Sequence, residues 1–438
     1  DVPAHLYNII LGRPTDSAIT LSVLAHQAMD GFFTYGMKPD TLTNKTPVLQ
    51  WKAGEAIELD IKNLKPNTRY YYKFNYQLAG TNPTTSASAT FHTQRATGST
   101  FVFTVQADSH LDFGTNPAVY ERTLKNALTD RTDFHVALGD TFMTGKYVDH
   151  RKAYPHYLAQ RYYFGRLCHS ASLFFVLGNH DGESLRYWDG TANNPAAWSA
   201  NLRKELLPNP SPNGFYTGNS QPQQHIGLLE DYYAWEWGDG LFVTLDPFWF
   251  TQRTRGKGDN WNWTLGKTQY DWLASTLANS KNKYKFIFLH HLVGGSDRSQ
   301  RGGKGAAAFF EWGGRNWDGE NEFALKRSGW AKPIHELLVQ HGVSIVFHGH
   351  DHLFAKEELD GITYQCVPQP SHSRGGTRTA AEYGYKDGVI LGSSGHIRVT
   401  VSPVAAKVDY VKSILPGAES NGRKNGMTAH SYNINSKQ

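Results

Sequence analysis

Short clusters of oxygen- and nitrogen-donor side chains recur through the middle of this 438-residue chain. Asp108 and His110 stand one residue apart. Asp140 follows a glycine, and Asn179, His180 and Asp181 are consecutive. His290 and His291 are neighbours, and His350 and His352 flank an aspartate. No cysteine belongs to any of these clusters. Carboxylate, amide and imidazole donors suit Fe, Mn, Zn or Co rather than a cysteine-bound structural ion. The candidate donors Asp108, His110, Asp140, Asn179, His290, His350 and His352 are more than one ion needs. A single shared carboxylate would make them a two-metal site, with ions about 3.5–4 Å apart.

These donors need elements to position them. Each cluster follows a short apolar run that reads as a β-strand: 101–106, 134–138, 173–177, 284–289 and 343–347. Helical periodicity appears between the runs over 118–127, 269–278 and 333–341. Strands alternating with helices predict an α/β domain. In such domains ligands bind beyond the carboxyl ends of the strands, so five polar strand ends are expected to converge on one place. Trp235 and Trp237 alternate in a further strand, 232–237, and are expected to pack rather than bind.

Residues 1–97 have a different grammar. Short alternating runs over 6–11, 18–24, 31–35, 47–51, 56–61, 70–74 and 86–93 are separated by turn residues at the spacing of a β-sandwich. The segment from Leu64 to Phe74, with Pro66, Thr68 and Tyr70 at alternate positions, resembles the end of a fibronectin type III domain. The predicted division is 1–97 as this sandwich, 98–415 as the α/β domain, and 416–438 as a polar, mobile tail. Two long insertions, 182–231 and 293–329, interrupt the α/β domain; loops of that length are uncommon without a function. The second carries Arg298, Arg301, Lys304 and Arg315 beside Trp312 and Trp317. That composition reads either as a cap that clamps phosphate oxygens and stacks on a leaving group, or as a solvated loop. His372, Arg374 and Arg378, in a Gly/Ser-rich loop, carry the same two readings.

Composition narrows the class. The net charge is +5 and the basic residues are scattered, so no nucleic-acid surface is indicated. Charged residues are only 19% while aromatics reach 13%, as in loop-rich extracellular proteins. No apolar run approaches the roughly 18 residues of a membrane helix. Cys168 and Cys366 are too few for a disulfide framework or a cysteine-rich zinc module. One disulfide or two free thiols fit equally. The chain opens at Asp1 without a leader, so a secreted or periplasmic protein whose signal peptide has been removed, or a trimmed chain, is expected. Nothing in the sequence sets an oligomeric state.

The order Asp-x-His, Gly-Asp, Gly-Asn-His-Asp, His and Gly-His-x-His, from Asp108 to His352, resembles the calcineurin-like metallophosphoesterases. With a β-sandwich in front, the architecture is similar to purple acid phosphatases and their bacterial relatives. The resemblance implies a catalytic two-sheet β-sandwich flanked by helices, and hydrolysis of small phosphorylated substrates by two transition-metal ions (Fe, Mn or Zn). It assigns Asp108, His110 and His352 to one ion, Asn179, His290 and His350 to the other, and Asp140 to both. His290 is preferred to His291 on the usual strand–His–x pattern. A metal-bridging hydroxide would attack phosphorus in line, with His180 assisting the leaving group and Asp181 orienting its imidazole. His291, Arg298, Arg301 and Arg315 are the candidate substrate contacts. Met143 stands where purple acid phosphatases carry a ligand tyrosine, so no purple colour is expected. A phosphomonoesterase is the leading reading, with a phosphodiesterase or nucleotidase, or a binding protein with a vestigial site, as rivals.

Overall fold

The computed structural model describes residues 2–112, 114–252, 260–294 and 301–437. Its N-terminal part consists of two antiparallel sheets. One joins Tyr7–Gly12, Ile19–Ala25 and Ala56–Ile61. The other is built on Met29–Gly36 paired with Arg69–Leu78, with shorter strands at its edges. Alternation supplies the core: Leu21 and Val23 from the first sheet pack with Phe33, Tyr72 and Phe74 from the second.

Beyond Phe101 two larger sheets face each other. The six-stranded sheet has the order Ser172–Phe175, Phe134–Ala137, Phe101–Gln106, Gly395–Val401, Ala405–Lys412 and Thr428–Asn435. The first three of these run parallel. In the eight-stranded sheet, Gly240–Thr244, Tyr284–Phe288, Ile345–His348 and Ile362–Cys366 are also neighbours in parallel. Aromatic side chains fill the space between the sheets, among them Phe103, Phe134, Phe174, Trp235, Phe242, Phe286 and Phe347. Trp235 and Trp237 are fully buried there, as their alternation predicted. Helices Pro117–Thr129 and Tyr154–Cys168 cover the outer face of the first sheet, while Lys267–Asn279 and Ile334–Gln340 cover that of the second. The parallel strands therefore deliver their carboxyl ends to a common edge.

Several expectations change. The segment after 415 is not a loose tail: Thr428–Asn435 pairs along Ala405–Lys412, and its Tyr432 and Ile434 lean on the inter-sheet core. The insertion 182–231 folds around helix Pro195–Leu206, which is capped by Asn194 through the Ala197 N–H. Its buried Arg203 holds Glu183 through two hydrogen bonds of 2.7 and 2.9 Å. Helix Tyr154–Cys168 was also missed, because its buried face carries Gln160 and Arg161 as well as Phe164 and Leu167. Cys168 and Cys366 are both free and buried. No helix among the described residues is long and apolar enough to cross a membrane.

Arg161 ties the two parts of the chain together. Its guanidinium is fully buried and donates to Asn8 Oδ1 at 2.7 Å, Ser22 Oγ at 3.0 Å and Ser22 O at 2.8 Å. It also donates to Leu206 O. Replacing it with methionine would leave several of these buried acceptors unpaired, at about 1–3 kcal/mol for each. Arg161→Met is therefore expected to lower the unfolding free energy by about 3–5 kcal/mol, read from urea denaturation. A loss below about 1 kcal/mol would show that the apolar contacts alone dock the sandwich.

Candidate metal centre

Asp108 follows the strand Phe101–Gln106, and Asp140 follows Phe134–Ala137. Asn179 and His180 follow Ser172–Phe175, His290 follows Tyr284–Phe288, and His350 and His352 follow Ile345–His348. Two donor groups result: Asp108 with His110 and His352, and Asp140 with His290 and His350. Within each group the donor atoms lie within 4.8 Å of one another. The groups adjoin. Asp108 Oδ1 is 3.4 Å from His352 Nε2 and 3.8 Å from His290 Nε2, so one oxygen stands between them. Asp140 Oδ2 is 3.3 Å from His290 Nε2.

The backbone is strained to achieve this. Asp108, Asp140, His350 and His352 have φ of 56°, 51°, 74° and 61°, in the left-handed region that β-carbon-bearing residues rarely enter. Such residues cost about 1–3 kcal/mol each and cluster where function requires them. The glycine before Asn179 serves close approach: a Cβ on Gly178 would lie 2.0 Å from Asp140 N and 2.4 Å from Asp140 Oδ1.

Surrounding groups set which ring nitrogens face inward. His110 Nδ1 donates to Asp112 Oδ1 at 2.6 Å, leaving Nε2 to face His352 Nε2 at 3.2 Å. His290 Nδ1 donates to Leu138 O at 2.6 Å, leaving Nε2 to face His350 Nδ1 at 3.3 Å. In their neutral form, imidazoles held this way turn a nitrogen lone pair inward, which is how metal-binding histidines are oriented. Gln160 Nε2 donates to Ser109 O and Thr141 O, bracing the loops that carry both aspartates.

Electrostatics agree with a cation site. Burial alone would lower the His290 pKa, but Asp140 and Asp108 beside it hold it up to about 10. Burial would raise the Asp140 carboxyl, yet the charge of His290 holds it well below the usual carboxylate range. Both shifts mean that the local field favours positive charge. Asp108 Oδ1 and Asn179 Oδ1 are buried without a hydrogen-bond partner among the described residues. Unpaired acceptors of this kind are costly unless something positive meets them. The O/N donor set, the inward lone pairs and these two oxygens fit divalent or trivalent transition-metal ions. The mouth of the site lies at His352, whose side chain is 43% exposed, and at the half-buried Asn179, His180 and His350.

The other expected residues fall out differently. His180 reaches the rim, and its backbone N–H donates to Asp140 Oδ1 at 2.9 Å. Asp181 is not placed to orient that imidazole. Its Oδ1 accepts from the Thr141 and Phe142 N–H groups and its Oδ2 from the Gly178 N–H, all at 2.8 Å, so the carboxyl clamps backbone around Asp140. His291 is buried among the rings of Phe248, Trp263 and His350, a packing position rather than a substrate contact. Arg298 lies outside the described residues. Arg301 is turned onto Asp351, and Arg315 is exposed at a backbone bridge to Phe309. Lys304 pairs with Asp387, and Trp312 is buried with its Nε1–H on Tyr364 Oη, so neither belongs to a cap over the site. Arg374 and Arg378 are exposed.

Three useful residues escaped the sequence reading. Asp112 lies two positions after His110, and that spacing was a usable signal. Gln160 and Arg186 left none. Arg186 donates to Asn179 O at 3.4 Å, and its buried Nε has no partner among the described residues. With Tyr187, Phe248 and Trp263 it lines a narrow pocket beside Asn179.

The family described as calcineurin-like phosphoesterase matches residues 101–354, more than half of the chain. The solved structure of PhoD superposes with a TM-score of 0.66 at 14% identity, covering 98% of this chain and 90% of that one. The purple acid phosphatase PPD1 from yellow lupin (Lupinus luteus) seeds gives 0.61 at 14% identity, covering 98% and 74%. At such identity the likeness is one of fold. No curated protein sequence matches.

Metal should stabilise this protein. Adding Mn²⁺ to chelator-stripped protein at a hundredfold excess over its dissociation constant is expected to raise the unfolding free energy by about 2.7 kcal/mol for each ion bound. Asp140→Asn should remove most of that gain in calorimetry. An undiminished gain in the variant would place the ions elsewhere.

Proposed function

The chain belongs to the calcineurin-like phosphoesterases, hydrolases of phosphoester bonds, and from that premise we propose that it hydrolyses phosphate monoesters at a two-metal centre. Asp108, His110 and His352 would hold one ion, Asn179, His290 and His350 the other, and Asp140 both. The observation that carries this reading is the pair of adjoining donor groups, with Asp108 Oδ1 and Asn179 Oδ1 buried and unpaired among the described residues. Bound ions of this kind neutralise phosphoryl oxygens and acidify water near neutral pH.

The chain's own residues would supply the rest. Asp112 and the Leu138 carbonyl hold the His110 and His290 rings in register. His180, on the rim and anchored to Asp140 through its backbone, is the group to donate a proton to the departing alkoxide. Arg186 supplies a cation beside Asn179, which favours the dianionic monoester over the singly charged diester. Met143 offers a thioether where a phenolate would be needed for a tyrosinate-to-iron absorption band. The N-terminal sandwich, residues 1–97, is proposed as fibronectin type III-like and packs through Arg161 against the catalytic part, which runs from residue 98 through the strand Thr428–Asn435. The low charge and high aromatic content suit a secreted or periplasmic setting.

Turnover of p-nitrophenyl phosphate against bis-p-nitrophenyl phosphate, after chelator treatment and return of Mn, Zn or Fe, tests the reading. Metal-dependent turnover favouring the monoester is expected, with an iron form that lacks a purple charge-transfer band. A preference for the diester would reassign the substrate class, and turnover indifferent to chelation would sink the two-metal centre.

Removing His180 as alanine should cost about 10²–10⁴-fold with alkyl phosphates and much less with p-nitrophenyl phosphate, whose leaving group needs no proton. Equal losses on both would remove His180 from the role of acid.

A further inference from the structure

We propose that Asp351, clamped by Arg301 and Tyr385, is a positioning residue that fixes the two donor groups relative to each other and ties their spacing to the start of the 301–329 segment. This rests on the two-metal reading. Asp351 sits in the chain between His350, a donor of one group, and His352, a donor of the other. Its carboxylate is only 2% exposed. Oδ1 accepts from Arg301 Nε at 2.9 Å, and Oδ2 accepts from the Tyr385 hydroxyl at 2.6 Å.

The same partners hold the flanking backbone. Arg301 donates a second hydrogen bond, 3.2 Å, to the His350 carbonyl. Its own N–H donates to Tyr383 O at 3.0 Å, and its guanidinium lies 4.0 Å from the Tyr383 ring centre. On the other side Ser393 Oγ donates to the His352 carbonyl at 2.8 Å. The fit is close: a Cβ on Gly302 would fall 2.4 Å from Tyr385 Oη and 2.5 Å from Asp351 Oδ2.

The physical consequence follows from the φ values of His350 and His352, 74° and 61°. Neither residue would hold a left-handed conformation unaided, so something buried must over-determine the turn. A single carboxylate between them, anchored at both oxygens, does so for both imidazoles at once. Loosening it would let both rings drift, and donors displaced by about 1 Å no longer make a productive site.

A rival role exists for the same carboxylate. Donor atoms of His348, Asp351 and Cys366 lie within 4.8 Å of one another, and both nitrogens of the buried His348 lack partners among the described residues. That triad could in principle take a third ion. Asp351, however, has both oxygens engaged and its charge met by Arg301, which leaves it a clamp and not a ligand.

The test uses the whole 438-residue chain, stripped with chelator and titrated with Mn²⁺ against a chromophoric chelator, with circular dichroism as the control for folding. Wild type should bind two ions. Asp351→Asn should weaken both by about 10–100-fold, the range for groups that orient metal-binding residues. Tyr385→Phe, which deletes one hydroxyl and keeps the ring, should weaken both less and carries the test if the first variant does not fold. At saturating Mn²⁺ both variants should lower kcat with KM little changed. Unchanged affinities in both folded variants, or a loss confined to one ion, would overturn the clamp. A third wild-type ion lost in Cys366→Ser would overturn it in favour of a ligand role. Wild type binding no Mn²⁺ would remove the two-metal reading and the clamp with it.

Discussion

Two buried carboxylates at the meeting edge of two sheets are the constraint around which the rest is arranged. Asp108 and Asp140 are 0% and 3% exposed, and stripping an anion of water costs several kcal/mol unless positive charge or hydrogen-bond donors replace it. The chain answers with imidazoles from distant strands, and with backbone N–H groups of His350 and His180 that donate to Asp108 Oδ2 and Asp140 Oδ1. What remains unpaired, Asp108 Oδ1 above all, points to the place where a cation would complete the arrangement.

Holding that arrangement demands rigid surroundings. Parallel strands provide them, because all but the edge strand Ser172–Phe175 are hydrogen-bonded on both sides, and aromatic side chains pack between the sheets. The donors sit on turns immediately after these strands, where left-handed φ values are tolerated only while neighbours enforce them. Asp181 clamping the Thr141, Phe142 and Gly178 amides, Gln160 bracing two loops, and Asp351 between two histidines are three versions of one device. In each, a buried polar side chain is fully spent on the backbone or partners that carry a donor.

The two insertions turn out to be structural as much as functional. The first folds on Arg203–Glu183 and a capped helix, and it brings Arg186 beside Asn179. The second buries Trp312 and spends Arg301 and Lys304 on ion pairs, so a composition rich in Arg and Trp was not by itself evidence of a phosphate clamp. Residue type records what a side chain can do, and only its neighbours decide which of those things it does.

The sequence by itself determined the strand ends and the donors upon them. A buried parallel strand is a short apolar run, and Asp-x-His, Gly-Asp, Gly-Asn-His-Asp and Gly-His-x-His stand directly after such runs. Those signals are local, so they survive in one dimension. It also marks a change of pattern near residue 98, where period-two alternation gives way to alternating strands and helices. Only the tertiary structure decided how Asp181 and His291 are used, that helix Tyr154–Cys168 buries Gln160 and Arg161, and that Thr428–Asn435 closes a sheet edge. It alone brought Gln369 within 3.2 Å of His110, and Arg301 and Tyr385 onto Asp351. Those contacts join residues tens to hundreds of positions apart, and a polar side chain carries no mark in its own sequence of the partner that folding will bring to it.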